Sequence, residues 1–196
     1  MKNKTKNIIL KICVISGACL LVGAIVMLIS WQWGISYYAK QAQTYVKTIK
    51  NIIPTPQNAA LEEKGNNTMP TLAVDGTDFV GIIEIPRYNS TLPVGANWGQ
   101  TTKYPCCFSG SIYNGSLKIG ATTQKGQYDF YTSLSVGDTV KFTDMQGNCY
   151  NFVVTNLKYT NNANKTTLNR TDAPLTLFIK NVYSLEYLIV SCNVLS

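Results

Sequence analysis

Thr139-Val-Lys-Phe-Thr-Asp-Met-Gln-Gly-Asn-Cys-Tyr-Asn-Phe-Val-Val-Thr-Asn-Leu157 decides the fold class. Thr139–Thr143 and Cys149–Leu157 flank Asp144-Met-Gln-Gly147, a turn-like tetrapeptide, and this predicts a β-hairpin. In the second arm Tyr150, Phe152 and Val154 alternate with Asn151, Val153 and Thr155. A strand's period of two puts the first three side chains on one face of a sheet. The same texture, short apolar runs between turn residues, extends outward in both directions. Val80-Gly-Ile-Ile-Glu-Ile85 reads as a strand stopped by Pro86, and Leu117-Lys-Ile119 as a short strand bounded by glycines. Leu175–Ile179 and Tyr187–Cys192 read as two further buried strands. Helical periodicity is scarce in this part, and residues 126–135 are its best short helical candidate. Residues 79–196 are therefore expected to form one mostly β domain, a closed barrel or sandwich large enough for its own core.

Upstream the texture is different. Ile12 to Ser30 is a run of 19 residues without a charge. At 1.5 Å per residue it reaches about 28 Å, close to the hydrocarbon thickness of a bilayer. Lys2, Lys4, Lys6 and Lys11 precede it, and Trp31, Trp33, Tyr37 and Tyr38 follow it as an interfacial aromatic belt would. The lysine bias predicts a cytoplasmic N-terminus and an extracytoplasmic C-terminal domain. A cleaved signal peptide would have a shorter apolar region ending in small residues, whereas Trp31-Gln-Trp33 stands at the place of cleavage. The expected organisation is a basic cytoplasmic tail at 1–11, a transmembrane helix at 12–33, a stalk and linker at 34–78 and the β domain at 79–196. Within the stalk, residues 35–53 fit a short helix stopped by Pro54 and Pro56, with Val46, Ile49, Ile52 and Ile53 apolar. Gln57–Asp78 is polar and Gly/Asn-rich and reads as a linker or loosely tied arm.

The chain of 196 residues contains no histidine. This excludes a Ser-His-Asp triad, a Cys-His dyad and any His-ligated metal site. Lys and Arg exceed Asp and Glu by 7, and the excess is uneven. The first eleven residues carry +4, residues 12–78 are neutral and residues 79–196 carry +3. No basic stripe interleaved with aromatics is visible in the β domain, so a nucleic-acid partner is not expected. No calcium loop or phosphate-binding glycine loop is present, and no cofactor or metal is expected.

Cys13 and Cys19 lie in the apolar run, while Cys106, Cys107, Cys149 and Cys192 lie in the segment where disulfides are permitted. Four thiols allow three full pairings, and a bridge between adjacent Cys106 and Cys107 would be strained. Free buried thiols are the plain alternative. Glu84 is a lone acid within a strand and is expected to face solvent. The Asn-x-Ser/Thr sequons at Asn66, Asn89, Asn114, Asn164 and Asn169 carry no weight if the source is bacterial. Asn161-Asn-Ala-Asn164 reads as a polar surface connector.

The order of these pieces resembles a sortase, the membrane-anchored cysteine transpeptidase of Gram-positive cell walls. Val80-Gly-Ile-Ile-Glu-Ile-Pro86 followed by Leu92-Pro-Val94 is similar to the family's opening strand. Pro105-Cys-Cys-Phe-Ser-Gly-Ser111 and Leu117-Lys-Ile-Gly120 follow in order. Ser133-Leu-Ser-Val-Gly-Asp-Thr-Val140 resembles the family's L-x-x-G-D-x-V segment, and Thr143-Asp-Met-Gln-Gly147 its next hairpin. Leu175-Thr-Leu-Phe178 resembles the strand that carries the nucleophile. The resemblance implies a sortase-like closed β-barrel with short helices behind one transmembrane helix, with no cofactor.

It also implies three catalytic side chains. A Cys thiolate attacks the carbonyl of a sorting-signal peptide, a His protonates the leaving amine and an Arg donates hydrogen bonds near the oxyanion. This chain departs at all three. The family's His follows the glycine of its strand end, and here Ala121 follows Gly120. The nucleophile ends the pattern L-T-L-x-T-C, and here Ile179 and Lys180 end it. The Arg begins the last strand, where Tyr187 stands, or Glu186 after a slip of one residue. Lys180 would trap an acyl group as a stable amide, and Cys106 and Cys107 lack an evident base or activating cation. The expectation is a catalytically inactive member that binds a sorting-signal peptide, a pilin-like protein or an active sortase. The alternatives are a transpeptidase rewired around Cys106, Cys107 or Lys180, and a purely structural surface domain.

Overall fold

The computed structural model describes residues 2–61, 68–161 and 172–195. A helix α1 (Lys2–Ile52) comes first. The strands are β1 (Gln57–Asn58), β2 (Leu72–Val74), β3 (Thr77–Ile85), β4 (Ser90–Gly95), β5 (Cys106–Ser109), β6 (Leu117–Thr122), β7 (Thr139–Asp144), β8 (Asn148–Thr160), β9 (Leu175–Lys180) and β10 (Tyr187–Val194). Single 3-10 turns at Pro86–Tyr88, Trp98–Gln100, Ile112–Asn114 and Tyr131–Ser133 join them.

The hairpin of β7 and β8 forms as its sequence demands, with Thr139 opposite Val153 and Thr143 opposite Cys149. Tyr150, Phe152 and Val154 are buried, while Asn151, Val153 and Thr155 are more exposed. The turn is built on buried Asp144, whose Oδ1 accepts from the backbone N–H groups of Gln146 and Asn148, each at 2.9 Å. Its Oδ2 accepts from the Tyr113 hydroxyl and the Asn148 amide, each at 2.8 Å. Four donors satisfy a carboxylate that burial would otherwise penalise.

Strands β3 to β10 close an eight-stranded barrel: β3 pairs with β4, then β5, β6, β9, β10 and β8 follow, and β7 bonds both β8 and β3. Closure leaves no open edge in these strands. The seam between β4 and β5 is thin, a single parallel pair at Gly95 and Cys106. The interior is filled from every wall, including Ile83, Ile85, Leu92, Ile119, Val140, Phe142, Phe152, Leu177, Ile179 and Val190.

The chain divides into two compact units, Met1–Tyr37 and Tyr38–Ser196. In the first, the large apolar side chains from Ile12 to Ile29 are exposed on every face of α1, which is long and apolar enough to cross a membrane. In the second, Ala42, Tyr45, Val46, Ile49 and Ile53 recur at helical spacing and are buried. All but Ala42 join Val74, Phe79, Ile82, Tyr104 and Cys106 in a core on the outer surface of the barrel. Tyr45, Phe79 and Tyr104 pack ring against ring there.

Several local expectations change. The helix expected at 35–53 is the uninterrupted end of α1, because no residue before Pro54 breaks the hydrogen-bond ladder. Ile52 is exposed, unlike its apolar neighbours Ile49 and Ile53. Within the stretch read as a loose linker, β1 pairs with β8 and β2 forms a hairpin with β3. Strands of two and three residues are too short to show an alternating pattern. Residues 126–135 are turns with one 3-10 turn, not an α-helix; Gly126 has φ +84°, which breaks helical geometry. Glu84 is not simply solvent-facing: Lys50 of α1 bonds its Oε1 at 2.6 Å. The sequons at Asn66, Asn164 and Asn169 lie outside the described residues, as do positions 162–164 of the polar connector.

Candidate functional site

Ala121, Lys180 and Tyr187, the positions that the sequence resemblance matches to the family's His, Cys and Arg, fall on adjacent strands. β6 runs parallel to β9, with Ala121 opposite Ile179 and Thr122 opposite Lys180. β10 runs antiparallel to β9, with Tyr187 opposite Lys180 and Leu188 opposite Ile179. Thr122, Lys180 and Tyr187 therefore form one row across three strands. Ala121 is one residue away from that row and belongs to the barrel interior, where it is 4% exposed. Lys180 and Tyr187 are register partners, while the position expected for the general acid is a core methyl group. Thr122 is the polar side chain that β6 contributes to the row. Only the strand register could reveal it.

The row sits on the outer face of the sheet. Two residues along β9 lies Phe178, with Ile189 opposite it on β10 and Gly120 opposite it on β6. Trp98 and Phe108 close over these residues, with ring centroids 4.9–5.3 Å apart among Trp98, Phe108 and Phe178. A Cβ at position 120 would come within 2.2 Å of the Trp98 ring, so glycine is what lets the indole lie on the sheet. Trp98 stays 43% exposed. The face thus offers the exposed Trp98 indole over buried Phe178, with exposed Lys180, half-buried Tyr187 and buried Thr122 in the row beside it.

The loop after β9 is pinned by its backbone. The Asn181 N–H donates to the Glu186 carbonyl at 2.9 Å, and the Val182 N–H donates to the Thr123 hydroxyl at 3.1 Å. The Asn181 amide donates to the Tyr131 hydroxyl at 3.0 Å. Lys180 has no carboxylate within ion-pair distance among the described residues. It lacks the apolar enclosure that desolvates a nucleophilic amine.

The thiols of the barrel are buried or half-buried. Cys106 is fully buried beneath α1 and Tyr104, and burial pushes its thiol up to about 12. Burial also raises Cys107, which faces the barrel interior, and lifts Cys192 to about 12. A nucleophilic cysteine needs the opposite shift. All six cysteines are free thiols. Among the described residues no group of three His, Cys, Asp or Glu could hold a metal. A cavity of about 240 Å³ lies instead between the end of α1 and the β3–β7 wall, lined by Lys50, Glu84, Lys141, Thr143 and Cys149 among others.

No family model and no curated protein sequence matches the chain. Solved structures do. The pilus-related sortase C of Group B Streptococcus is 20% identical with a TM-score of 0.53, covering 84% of this chain and 91% of that one. Sortase A from Corynebacterium diphtheriae is 13% identical with a TM-score of 0.52, covering 83% and 84%. Sortase C-1 from Actinomyces oris is 16% identical with a TM-score of 0.51, covering 81% and 99%. At these identities the likeness is one of fold. The chain carries a sortase-like closed barrel behind a helix that could span a membrane.

Proposed function

We propose that this sortase-like barrel is a membrane-anchored surface protein that binds a sorting-signal peptide and does not cleave it. The carrying observation is the row Thr122–Lys180–Tyr187 beside the Trp98–Phe108–Phe178 surface. That row can hold a peptide: the aromatics offer apolar contact, the Lys180 ammonium offers charge and the Tyr187 hydroxyl a hydrogen bond. It cannot transfer an acyl group. It has no thiolate, no imidazole and no guanidinium, and the chain has no histidine to recruit. The anchor holds the barrel outside the cell, where surface proteins bearing such signals are found. A rewired transpeptidase is disfavoured by the raised thiols of Cys106, Cys107 and Cys192.

Full-length protein in detergent, titrated with fluorescently labelled sorting-signal peptides, should give saturable binding. Trp98→Ala should weaken it about tenfold, the scale of losing one aromatic anchor. Absence of saturable binding across the peptide set would sink the peptide-binding reading.

A further inference from the structure

The loop between β9 and β10 carries three exposed apolar side chains that neither the barrel nor the candidate row uses. Val182 is 39% exposed, and Tyr183 and Leu185 are each 79% exposed. The loop is held firmly from behind by Thr123, Tyr131 and its own Asn181 and Ser184, so its apolar tip is a built feature rather than a frayed end.

Its place within the Tyr38–Ser196 unit gives the tip a meaning. The loop rests on the 123–131 segment through Thr123 and Tyr131. The same segment touches the first turn of α1 within this unit, where a Cβ on Gly126 would meet Ala39 Cβ at 2.5 Å. The helix then runs along the barrel wall to its other end, where Pro54 packs on Gly147 in the β7–β8 turn. The apolar tip therefore lies at the end of the barrel at which the chain enters, only a few residues after the aromatic belt Trp31, Trp33 and Tyr37. Basic groups share that end. Lys103 lies over the Tyr38 ring at 5.8 Å, Lys125 adjoins Gly126, and Lys180 begins the loop, against the acids Asp129 and Glu186. Exposed aromatic and aliphatic side chains at an end that also carries lysines suit an anionic lipid interface, where apolar tips leave water and ammonium groups meet headgroups.

We propose that the Val182-Tyr183-Ser184-Leu185 tip docks on the lipid headgroup surface and tethers the candidate-site end of the barrel to the bilayer. The proposal rests on the reading of α1 as a membrane anchor. Its test uses full-length protein reconstituted in phosphatidylcholine/phosphatidylglycerol vesicles, with the photocrosslinker p-benzoylphenylalanine placed at Tyr183. A second variant carries it at Val194, an exposed residue toward the other end of the barrel. Flotation reports the anchor, and mass spectrometry reports lipid adducts. The expected result is co-flotation of both variants with a lipid adduct at position 183 and none at 194. Adding a Leu185→Ser/Val182→Ser pair should reduce the adduct at 183 while leaving flotation and far-UV circular dichroism unchanged. Co-flotation without an adduct at 183, or with equal adducts at both positions, overturns the docking alone. Crosslinking of 183 to a protein in native membranes, with no lipid adduct, assigns the tip to a protein partner and likewise overturns it. Failure to co-float overturns the anchor and the docking together.

Discussion

At the scale of single residues, the strongest constraints are polar groups that the barrel buries. Tyr128 is fully buried in the core, and its hydroxyl has no hydrogen-bond partner among the described residues. An unpaired buried hydroxyl costs free energy that the ring's packing must offset. Tyr128→Phe keeps the ring and removes the orphan, so it should raise stability by about 1 kcal/mol, read as an upward shift in denaturant midpoint. Lost stability would mean that the hydroxyl makes a bond worth keeping. Asp138 is the opposite case. It accepts from Arg87 at 2.6 Å and from the Tyr88 hydroxyl and Ser135 N–H, each at 2.9 Å. Burial pushes its carboxyl up, but the bonds from Arg87, Ser135 and Tyr88 outweigh burial and hold it below the usual carboxylate range. A depressed carboxyl stabilises the fold above its unfolded value and loses that contribution as pH falls through the folded one. Thermal stability should therefore drop as pH falls below about 4, and Asp138→Asn should flatten that dependence. A wild-type profile unchanged by Asp138→Asn would contradict the assignment.

At the scale of elements, close approach decides where side chains are allowed. Gly81 sits at the irregularity in the β3–β4 ladder, and a Cβ there would meet the Phe142 ring at 2.4 Å and the Thr143 carbonyl at 2.6 Å. Backbone cannot swing aside as a side-chain tip can. Gly81→Ala should cost about 1–3 kcal/mol, measured by chemical denaturation, and a neutral result would show that the β3–β7 contact is looser than described. This glycine lies inside a run that reads in sequence simply as an apolar strand. Alternation made β8 legible, the turn at Asp144–Gly147 made its partner β7 legible, and apolar runs marked β9 and β10. None of these signals could reveal β1 and β2, which are too short for a pattern, nor the shared core of α1 and β3, where Ile49 joins Phe79 and Ile82 from far along the chain. The candidate site was legible in part. Motif order put Lys180 and Tyr187 together. It could not show that Ala121 belongs to the interior while Thr122 completes the row, because that depends on strand register.

At the scale of the whole molecule, a histidine-free chain has folded into a sortase-like closed barrel, and we read the Lys180–Tyr187 end of that barrel as a binding face without transfer chemistry. The net charge of +7 belongs largely to the segment before the apolar run, and the barrel itself is only mildly basic. A fold does not fix a chemistry, since strand pairing and core packing depend on different residues from those that react. The most direct measurement of this central claim incubates full-length protein with a fluorogenic sorting-signal peptide and an amine acceptor, followed by intact-mass analysis. The account predicts no cleavage, no transfer product and no covalent acyl adduct. Turnover above the uncatalysed rate, or an acyl group trapped on any thiol or on Lys180, would contradict it.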